Sequence, residues 1–186
     1  LTGVEKGMKL LSNINMVLAL GLMLFILVAG PTAFILESTV DTLGAYVSEL
    51  VAISFRLLPY EGLTDWSASW TLTYLIWWLA WGPFVGVFIA RISRGRTIRE
   101  FCAGVILVPT LFSILWFAVF GGAGIYVELF GPGGLAALVA ENVSEALFAF
   151  LGYFPLAGLL SAVALALIFI FLVTSADSGT FVLSMM

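Results

Sequence analysis

The sequence contains no histidine and only one cysteine, Cys102, among its 186 residues. Without histidine the chain lacks the commonest general base and transition-metal ligand, so neither a histidine-dependent catalytic site nor a transition-metal centre is predicted. A single cysteine cannot form a disulfide within the chain, and a lone cysteine in an apolar protein is usually a packing residue. No nucleophile stands beside a base either, so the sequence argues against an enzyme and predicts no organic cofactor.

Charged residues are also scarce. They make up 10% of the chain, whereas hydrophobic residues make up 62% and the mean hydropathy is +1.18. A soluble domain is typically about a quarter charged and about half apolar. The composition therefore predicts an integral membrane protein, and its long uncharged runs predict an all-α fold.

Four runs are apolar for long enough to cross a bilayer, because about 20 helical residues span the hydrocarbon. Two further segments are too polar to span comfortably and are predicted as surface helices on the outer side of the membrane. For the first of these, an ordinary loop with one helical turn is the alternative. The predicted spans are residues 13–35, 70–91, 101–127 and 152–176, and the surface helices are 39–58, which is amphipathic, and 135–150.

Glycine–proline pairs mark two positions where these helices should kink or break. Gly30-Pro31 lies in the outer third of the first span and predicts a kink. Gly82-Pro83 interrupts the second span. Proline has no N–H, so the Leu79 carbonyl should lose its partner and the helix should break there. Gly82 and Gly86 also form a pair of small residues one turn apart, which lets a neighbouring backbone approach closely.

The positive charges predict the direction of each span, because Lys and Arg are retained on the cytoplasmic side of a membrane. This orientation places six of the seven Lys and Arg residues inside, with only Arg56 outside, and eight of the eleven acidic residues outside. A nucleic-acid patch is the alternative for the cytoplasmic loop 93–100, but this loop adjoins a span and lacks accompanying basic surface. We expect its arginines to pair with acids or lipid headgroups. The basic cluster comprises Arg91, Arg94, Arg96 and Arg99.

Three tryptophans lie near the middle of the second span, although tryptophan prefers the membrane interface. At about 100° per residue, one helix face carries Trp77, Trp81, Phe84 and Phe88, and Trp78 flanks that face. Aromatic faces at mid-membrane depth, beside a broken helix, are typical of a buried site for an organic cation. Packing against lipid or other helices is the alternative for each ring.

The string WWLAWGPFVGVFIARISRGRTIREF, residues 77–101, closely resembles the signature helix and following loop of the betaine/carnitine/choline transporters. This resemblance implies the inverted-repeat, leucine-transporter-like fold. It also implies that the chain is an internal fragment, holding the last span of the first repeat and the opening three spans of the second. The missing first-repeat helices would then supply the rest of each site.

The resemblance also implies roles for the aromatic residues of the second span. Trp77, Trp78 and Trp81 match the aromatic residues of the family's substrate pathway, and Trp78 matches its central box. Phe84 matches a position that sodium-coupled members use near a sodium ion, with core packing as the alternative. Gly82 and Gly86 would face the glycine-rich opening helix of the first repeat.

A second string, residues 171–179, resembles the family's second sodium site. By this resemblance the carbonyl oxygen of Phe171 and the hydroxyl groups of Thr174 and Ser175 would bind sodium. The alternative is that the hydroxyl groups donate hydrogen bonds back to carbonyls four residues earlier, as they commonly do in helices. The Phe171 carbonyl would be free for an ion only if the helix were distorted or ended nearby, for which Gly179 is a candidate.

As a member of this family the protein would be a secondary transporter in the inner (plasma) membrane. Its expected substrate is glycine betaine or a related quaternary-ammonium or zwitterionic osmolyte, with sodium as the coupling ion. The family also uses the surface helix at residues 39–58 in a trimer contact, so a homotrimer is expected. The alternatives are a sodium-independent carnitine- or choline-type exchanger, whose members usually depart from the WGPF motif, and a helical membrane protein that does not transport.

Overall fold

The computed structural model describes residues 2–56 and 60–184, and all regular secondary structure within these residues is helical. The all-α prediction is therefore confirmed. Eight α-helices follow one another along the described chain, and a π-helical segment, Ala68–Leu72, joins the third to the fourth. The helices are α1 (Thr2–Ala29), α2 (Thr32–Ser54), α3 (Thr64–Ser67), α4 (Thr73–Ile92), α5 (Ile98–Phe130), α6 (Leu135–Glu141), α7 (Val143–Leu151) and α8 (Ala157–Leu183).

The first predicted span, 13–35, is divided in two. α1 ends at Ala29, and Pro31, with φ −77° and ψ 69°, separates it from α2. Proline donates no backbone hydrogen bond, so the predicted kink becomes a helix end. The predicted surface helix, 39–58, accordingly begins earlier, at Thr32, and ends at Ser54, while residues 57–59 lie outside the described part of the chain.

The break predicted at Gly82-Pro83 is wrong, because α4 continues through Pro83 to Ile92. A proline removes one hydrogen bond from the ladder, and membrane helices tolerate this loss where the surrounding bonds persist. The departure from regular α-helix lies instead in the π-helical segment Ala68–Leu72, which ends before Trp77. With α3 and this segment, the helical run is longer than the predicted span 70–91.

The later boundaries also shift. α5 begins inside the predicted loop 93–100, because Thr97 caps its first turn, and it extends past the predicted span 101–127 to Phe130. The predicted surface helix 135–150 is two helices, α6 and α7. Asn142 separates them, and its side chain accepts a hydrogen bond from the Ser144 N–H at 3.1 Å. The predicted span 152–176 corresponds to α8, which begins later, at Ala157, and ends at Leu183.

Helices α1, α2, α5, α7 and α8 share one apolar core, in which α1 packs against α8 and α5, and α2 packs against α5. Ile26 of α1, Ile35 of α2 and Leu151 of α7 are its largest fully buried side chains. Gly122 of α5 allows α2 to approach closely, since a Cβ atom there would lie 3.6 Å from the Ile35 Cα and 3.3 Å from the Ser38 Oγ. Small residues commonly permit such contacts between membrane helices.

Four helical segments are long and apolar enough to cross a membrane: Lys9–Ala29, Thr64–Arg91, Ile98–Phe130 and Ala157–Thr180. This agrees with the four predicted spans in number and approximate position. The segment Thr64–Arg91 differs from the others, because none of its most apolar window is buried within the described chain. Its aromatic face is therefore available to lipid or to other protein segments.

Candidate functional site

The aromatic residues of α4 form a continuous ladder of ring contacts. The Trp77 ring centroid lies 5.7 Å from that of Trp78 and 6.3 Å from that of Trp81, and Trp81 lies 5.0 Å from Phe84. Helical periodicity predicted this face, because residues three and four apart are neighbours on a helix. The predicted grouping of Trp77, Trp81 and Phe84, with Trp78 at its flank, is thus what the structure shows.

The ladder extends two rings further than the sequence analysis predicted. The Tyr74 ring lies 6.0 Å from Trp77 in an edge-to-face arrangement, and Trp70 stacks on Tyr74 at 6.0 Å with an interplanar angle of 7°. The spacing of residues 70, 74 and 77 follows the same i, i+4, i+7 pattern and could have revealed this extension. Trp70 and Tyr74 both precede the WGPF-containing string, which begins at Trp77.

The indole rings of this ladder present accessible faces. Trp78 is 63% exposed, and Trp77 and Trp81 are about half exposed. An exposed row of π faces can hold a cation without hydrogen bonds, because the negative ring faces attract positive charge. The described residues supply one side of such a site, since no residue in the most apolar window of this helix is buried within the described chain.

Phe84 and the two glycines lie at the cytoplasmic end of the ladder, in the predicted orientation. The Phe84 side chain is partly buried. No described atom outside the local helix lies within 4 Å of a Cβ placed on Gly82 or Gly86. The predicted close approach at these glycines therefore has no counterpart among the described residues and stays a prediction.

The second predicted site lies on α8, beside α1 and α5. Phe171 and Thr174 line a cavity of about 450 Å³ that also contains Ser12 and Asn15 of α1 and Ser113 of α5. Ser175 is not among the residues lining this cavity, and its side chain is exposed. The structure thus brings two of the three predicted α8 residues together with polar groups of two other helices.

The hydroxyl group of Thr174 donates within its own helix, to the carbonyl oxygens of Ile170 at 2.9 Å and Phe171 at 3.2 Å. This back-bonding is the alternative that the sequence analysis left open. It engages the hydroxyl proton but leaves the lone pairs of the oxygen available to another donor or an ion. The expected distortion near Phe171 is absent, because α8 continues without interruption through Gly179.

Asn15 is a polar residue of this region that the sequence analysis missed. Its side chain is only 4% exposed, and its Oδ1 atom has no hydrogen-bond partner among the described residues. A buried amide oxygen normally finds a donor, because desolvation without compensation is unfavourable. The sequence signal that could have revealed this residue is an asparagine within a predicted span that is mostly apolar.

The basic cluster surrounds the turn between α4 and α5. Arg91 lies in the last turn of α4, where a positive charge complements the helix dipole. Thr97 and Glu100 form a reciprocal capping box that begins α5: the Glu100 N–H donates to the Thr97 Oγ1 at 3.3 Å, and the Thr97 N–H donates to Glu100 Oε2 at 3.0 Å. The sharp turn uses Gly95 at φ +85°. Arg94, Arg96 and Arg99 thus surround a well-defined short connection.

Comparison with known proteins agrees with these features. The family model for betaine/carnitine/choline family transporters matches residues 1–186. The chain is 49% identical over 185 residues to the glycine betaine transporter OpuD of Bacillus subtilis, covering 99% of this chain and 36% of that protein. It is 46% identical over 183 residues to the ectoine/glycine betaine/proline transporter EctP of Corynebacterium glutamicum, covering 97% of this chain and 30% of that protein.

A third relative, the ectoine/hydroxyectoine transporter of Virgibacillus pantothenticus, is 44% identical over 185 residues, which are 100% of this chain and 37% of that protein. The chain therefore spans about a third of the length of these relatives. The relatives are transporters rather than enzymes. The family match covers every residue of the chain, and the described helices include four of membrane-spanning length. The chain belongs to the betaine/carnitine/choline transporter family, whose members are helical, multi-pass proteins of the plasma membrane.

Proposed function

We propose that the protein is a secondary active transporter, coupled to sodium, that imports glycine betaine or a related quaternary-ammonium osmolyte. The observation that carries this proposal is the ladder of indole rings formed by Trp77, Trp78 and Trp81. The names of the relatives from Bacillus subtilis and Corynebacterium glutamicum, both of which include glycine betaine, support the substrate class.

The chemistry of the substrate explains why aromatic rings suit it. A trimethylammonium group has no N–H, so it cannot be held by ordinary hydrogen bonds to carbonyl or carboxylate oxygens. Each cation–π contact contributes about 0.5 to 2 kcal/mol, with the larger values for desolvated sites. Two or three rings around one ammonium group, in a site that excludes water, can therefore bind the substrate although no hydrogen bond holds its positive group.

The substrate group that differs among osmolytes requires further contacts. Betaine carries a carboxylate and choline a hydroxyl group, whereas the α4 ladder presents only ring faces and the indole N–H groups of its tryptophans. We therefore assign recognition of the positive group to α4. Discrimination by the rest of the molecule would rest on segments that pair with α4 in the whole transporter.

Sodium coupling rests on Phe84 and on the α8 residues Phe171, Thr174 and Ser175. Two observations support part of this assignment: Thr174 keeps its oxygen lone pairs, and Phe171 lines the same cavity. The WGPF motif also favours coupling over sodium-independent exchange. A homotrimer with contacts through α2 is part of the same proposal, and the exposed apolar side chains of α2, such as Val40 and Val47, are compatible with it.

Replacing one indole tests the substrate site. In the full-length transporter, we expect Trp78→Leu to raise the dissociation constant for radiolabelled glycine betaine about tenfold, equivalent to ~1.4 kcal/mol. Leucine keeps the side chain apolar but removes the π face. Trp66→Leu is the matched control, because Trp66 is also half exposed but lies outside the ladder, and it should bind betaine normally.

Equilibrium binding to purified protein measures both variants, and circular dichroism confirms that each remains helical. If folded Trp78→Leu protein binds betaine as tightly as the wild type, the ladder is packing rather than a substrate site. A loss in both variants would indicate general damage to the N-terminal part of the α3–α4 run, so the assignment requires the difference between them.

A further inference from the structure

A groove with a volume of about 540 Å³ lies between α2 and α5. α2 contributes residues from Phe34 to Tyr46 to its walls, and α5 contributes residues from Pro109 to Ile125. None of the residues predicted to bind the substrate or sodium lines it. We call this cavity the α2–α5 groove, and its depth, polarity and width restrict what can occupy it.

The groove exists because α2 packs on α5 mainly through its first two turns. There the Phe34 ring lies 5.3 Å from the ring of Tyr126, and Ile35, which is buried, contacts Gly122. Every described residue of α2 after Thr39 is exposed. Beyond this contact the α5 side chains that line the groove include several too short to fill it, namely Thr110, Ser113, Ala118 and Gly121.

The groove follows the outer half of α5 in the orientation predicted for the spans. Its closed end, at the contact between Phe34 and Tyr126, lies near the outer end of α5 at Phe130. From Ile125 to Pro109 it follows the helix inward for about 24 Å, since an α-helix rises 1.5 Å per residue. Half of the hydrocarbon core is about 15 Å thick. The groove is therefore long enough to accompany an acyl chain of the outer leaflet over its full depth.

The lining of the groove suits hydrocarbon better than water or an ion. No residue that lines it carries a charge at neutral pH. The hydroxyl groups of Ser38 and Thr39 both donate to the carbonyl oxygen of Ile35. Thr110 likewise donates to the carbonyl oxygen of Ile106, at 2.6 Å. These hydrogens are engaged within their own helices, and an ordered water needs two to four polar partners, so an apolar occupant is favoured.

The width of the groove distinguishes a single acyl chain from a protein helix. A volume of about 540 Å³ spread along about 24 Å leaves a mean cross-section of roughly 22 Å². An α-helix with its side chains is about 10 Å across and therefore needs roughly 80 Å². A neighbouring helix can insert side chains into the groove but cannot lie within it, whereas one extended hydrocarbon chain can.

Tyr46 adds a polar group to the wall that α2 contributes. Its side chain is 56% exposed, and its hydroxyl group has no hydrogen-bond partner among the described residues. Tyrosine is enriched where a membrane meets water, because its ring is apolar and its hydroxyl group is polar. On a helix predicted to lie at the outer surface, this hydroxyl group can reach the polar part of a lipid while the ring contacts the chain.

We propose that the α2–α5 groove binds one acyl chain of an outer-leaflet phospholipid, and that Tyr46 donates a hydrogen bond to an ester or phosphate oxygen of the same molecule. The lipid would fill the space between the two helices and so fix the angle between α2 and α5. This inference goes beyond the proposed transport function and depends on neither the substrate nor the coupling ion.

The experiment locates a photoreactive lipid on the full-length transporter. Purified protein is placed in phosphatidylcholine nanodiscs that contain a small fraction of phosphatidylcholine with a diazirine midway along one acyl chain. After irradiation, mass spectrometry of peptides measures the yield of lipid adducts at each residue. We expect adducts on residues inside the groove, such as Ile114 and Ala118.

Gly121→Leu fills the groove and tests whether the chain enters it. No described atom outside the local helix lies within 4 Å of a Cβ placed on Gly121, so the larger side chain can be accommodated. We expect the yield of adducts on Ile114 and Ala118 to fall at least fivefold. Gly104→Leu is the matched control, because Gly104 is also an exposed glycine of α5 with open space at its Cβ but lies outside the groove. It should leave the yield unchanged.

Two results would overturn the inference. If the wild-type transporter gains no adducts on the groove residues, another segment of the transporter or a second copy covers the groove. If Gly121→Leu gains them at the wild-type yield, the lipid surrounds the protein without entering the groove. Thr42→Leu narrows the groove from the α2 side and gives the same test if Gly121→Leu does not fold.

Discussion

At the scale of single residues, Thr174 illustrates how a local hydrogen bond and an ion site can share one side chain. From the sequence alone, donation of the hydroxyl hydrogen to a backbone carbonyl and binding of sodium are alternatives for this residue. In the structure the hydroxyl proton is donated to the carbonyl oxygens of Ile170 and Phe171, and Thr174 lines a cavity between three helices. A hydroxyl group that donates to the backbone can still accept from, or bind, a positive group.

The sodium ligands proposed on α8 should therefore respond unequally to substitution. Thr174→Ala removes an oxygen that lines the cavity, and we expect it to raise the sodium concentration for half-maximal uptake about tenfold, or ~1.4 kcal/mol. Ser175→Ala should raise it less, because the Ser175 side chain is exposed and does not line the cavity. Uptake by liposomes across a series of sodium concentrations measures both. Identical sodium curves for wild type and both alanine variants would show that these hydroxyls only pack or bond within the helix.

The ladder and Asn15 also mark the limit of what single residues reveal in a sequence. The ring contacts of Trp77, Trp81 and Phe84 follow from helical spacing alone, so the sequence was sufficient to predict them. The asparagine in an apolar span indicates a polar residue within the membrane. The burial of Asn15, however, depends on how α5 and α8 pack against α1, and those contacts join residues about 100 and 160 positions apart along the chain.

At the scale of helices, the sequence predicted how many helices cross the membrane better than where each one ends. The spans follow from long apolar runs, which decide membrane insertion by their length. The ends depend on single capping contacts, such as the Asn142 side chain that starts α7 and the Thr97 capping box that starts α5. The effect of each proline also depends on its surroundings: Pro31 separates two helices, whereas α4 passes through Pro83.

The connection from α5 to α6 provides a test at this scale. The Glu128 carboxylate accepts hydrogen bonds from the N–H groups of Leu135 at 2.8 Å and Ala136 at 3.2 Å, across the turn at Gly133 and Gly134. A negative charge at a helix N-terminus is stabilising because it satisfies free N–H groups and complements the dipole. Glu128→Gln should therefore weaken the start of α6 by about 1 kcal/mol, which corresponds to roughly fivefold faster local opening.

Hydrogen exchange of residues 131–141 in the full-length transporter measures this opening. Glu141→Gln is the matched control, because Glu141 lies at the opposite end of the same helix, where a negative charge opposes the dipole. It should leave exchange unchanged or slow it slightly. Equal exchange rates in Glu128→Gln and wild type would mean that the Gly-rich turn holds α6 without the carboxylate.

At the scale of the whole molecule, the described chain presents one side of each of the two proposed sites. The indole rings of Trp77, Trp78 and Trp81 on α4 are exposed, and the cavity beside α8 is lined by α1, α5 and α8. Both features agree with a chain that covers about a third of its relatives' length. The sequence predicts part of each site from residue types on α4 and α8, and in the proposed transporter the segments that complete them would lie outside these 186 residues.

The arrangement of the spans across the membrane gives a final prediction. Thr64–Arg91 and Ile98–Phe130 are each long and apolar enough to cross once, and we therefore expect residue 94 between them to face the side opposite to residues 61 and 141. The basic cluster indicates that residue 94 faces the cytoplasm. In intact cells, an impermeant maleimide should therefore label Glu61→Cys and Glu141→Cys but not Arg94→Cys.

The labelling uses a Cys102→Ser background, because Cys102 is exposed and would react itself. Removing Glu61 breaks only a surface ion pair with Arg56 at 3.3 Å, which contributes little to stability. Inverted membrane vesicles serve as the control, since there only position 94 should react. If only Arg94→Cys is labelled in intact cells, every span has the opposite orientation to the one predicted. If all three positions are labelled from one side, at least one of these helices does not cross the membrane.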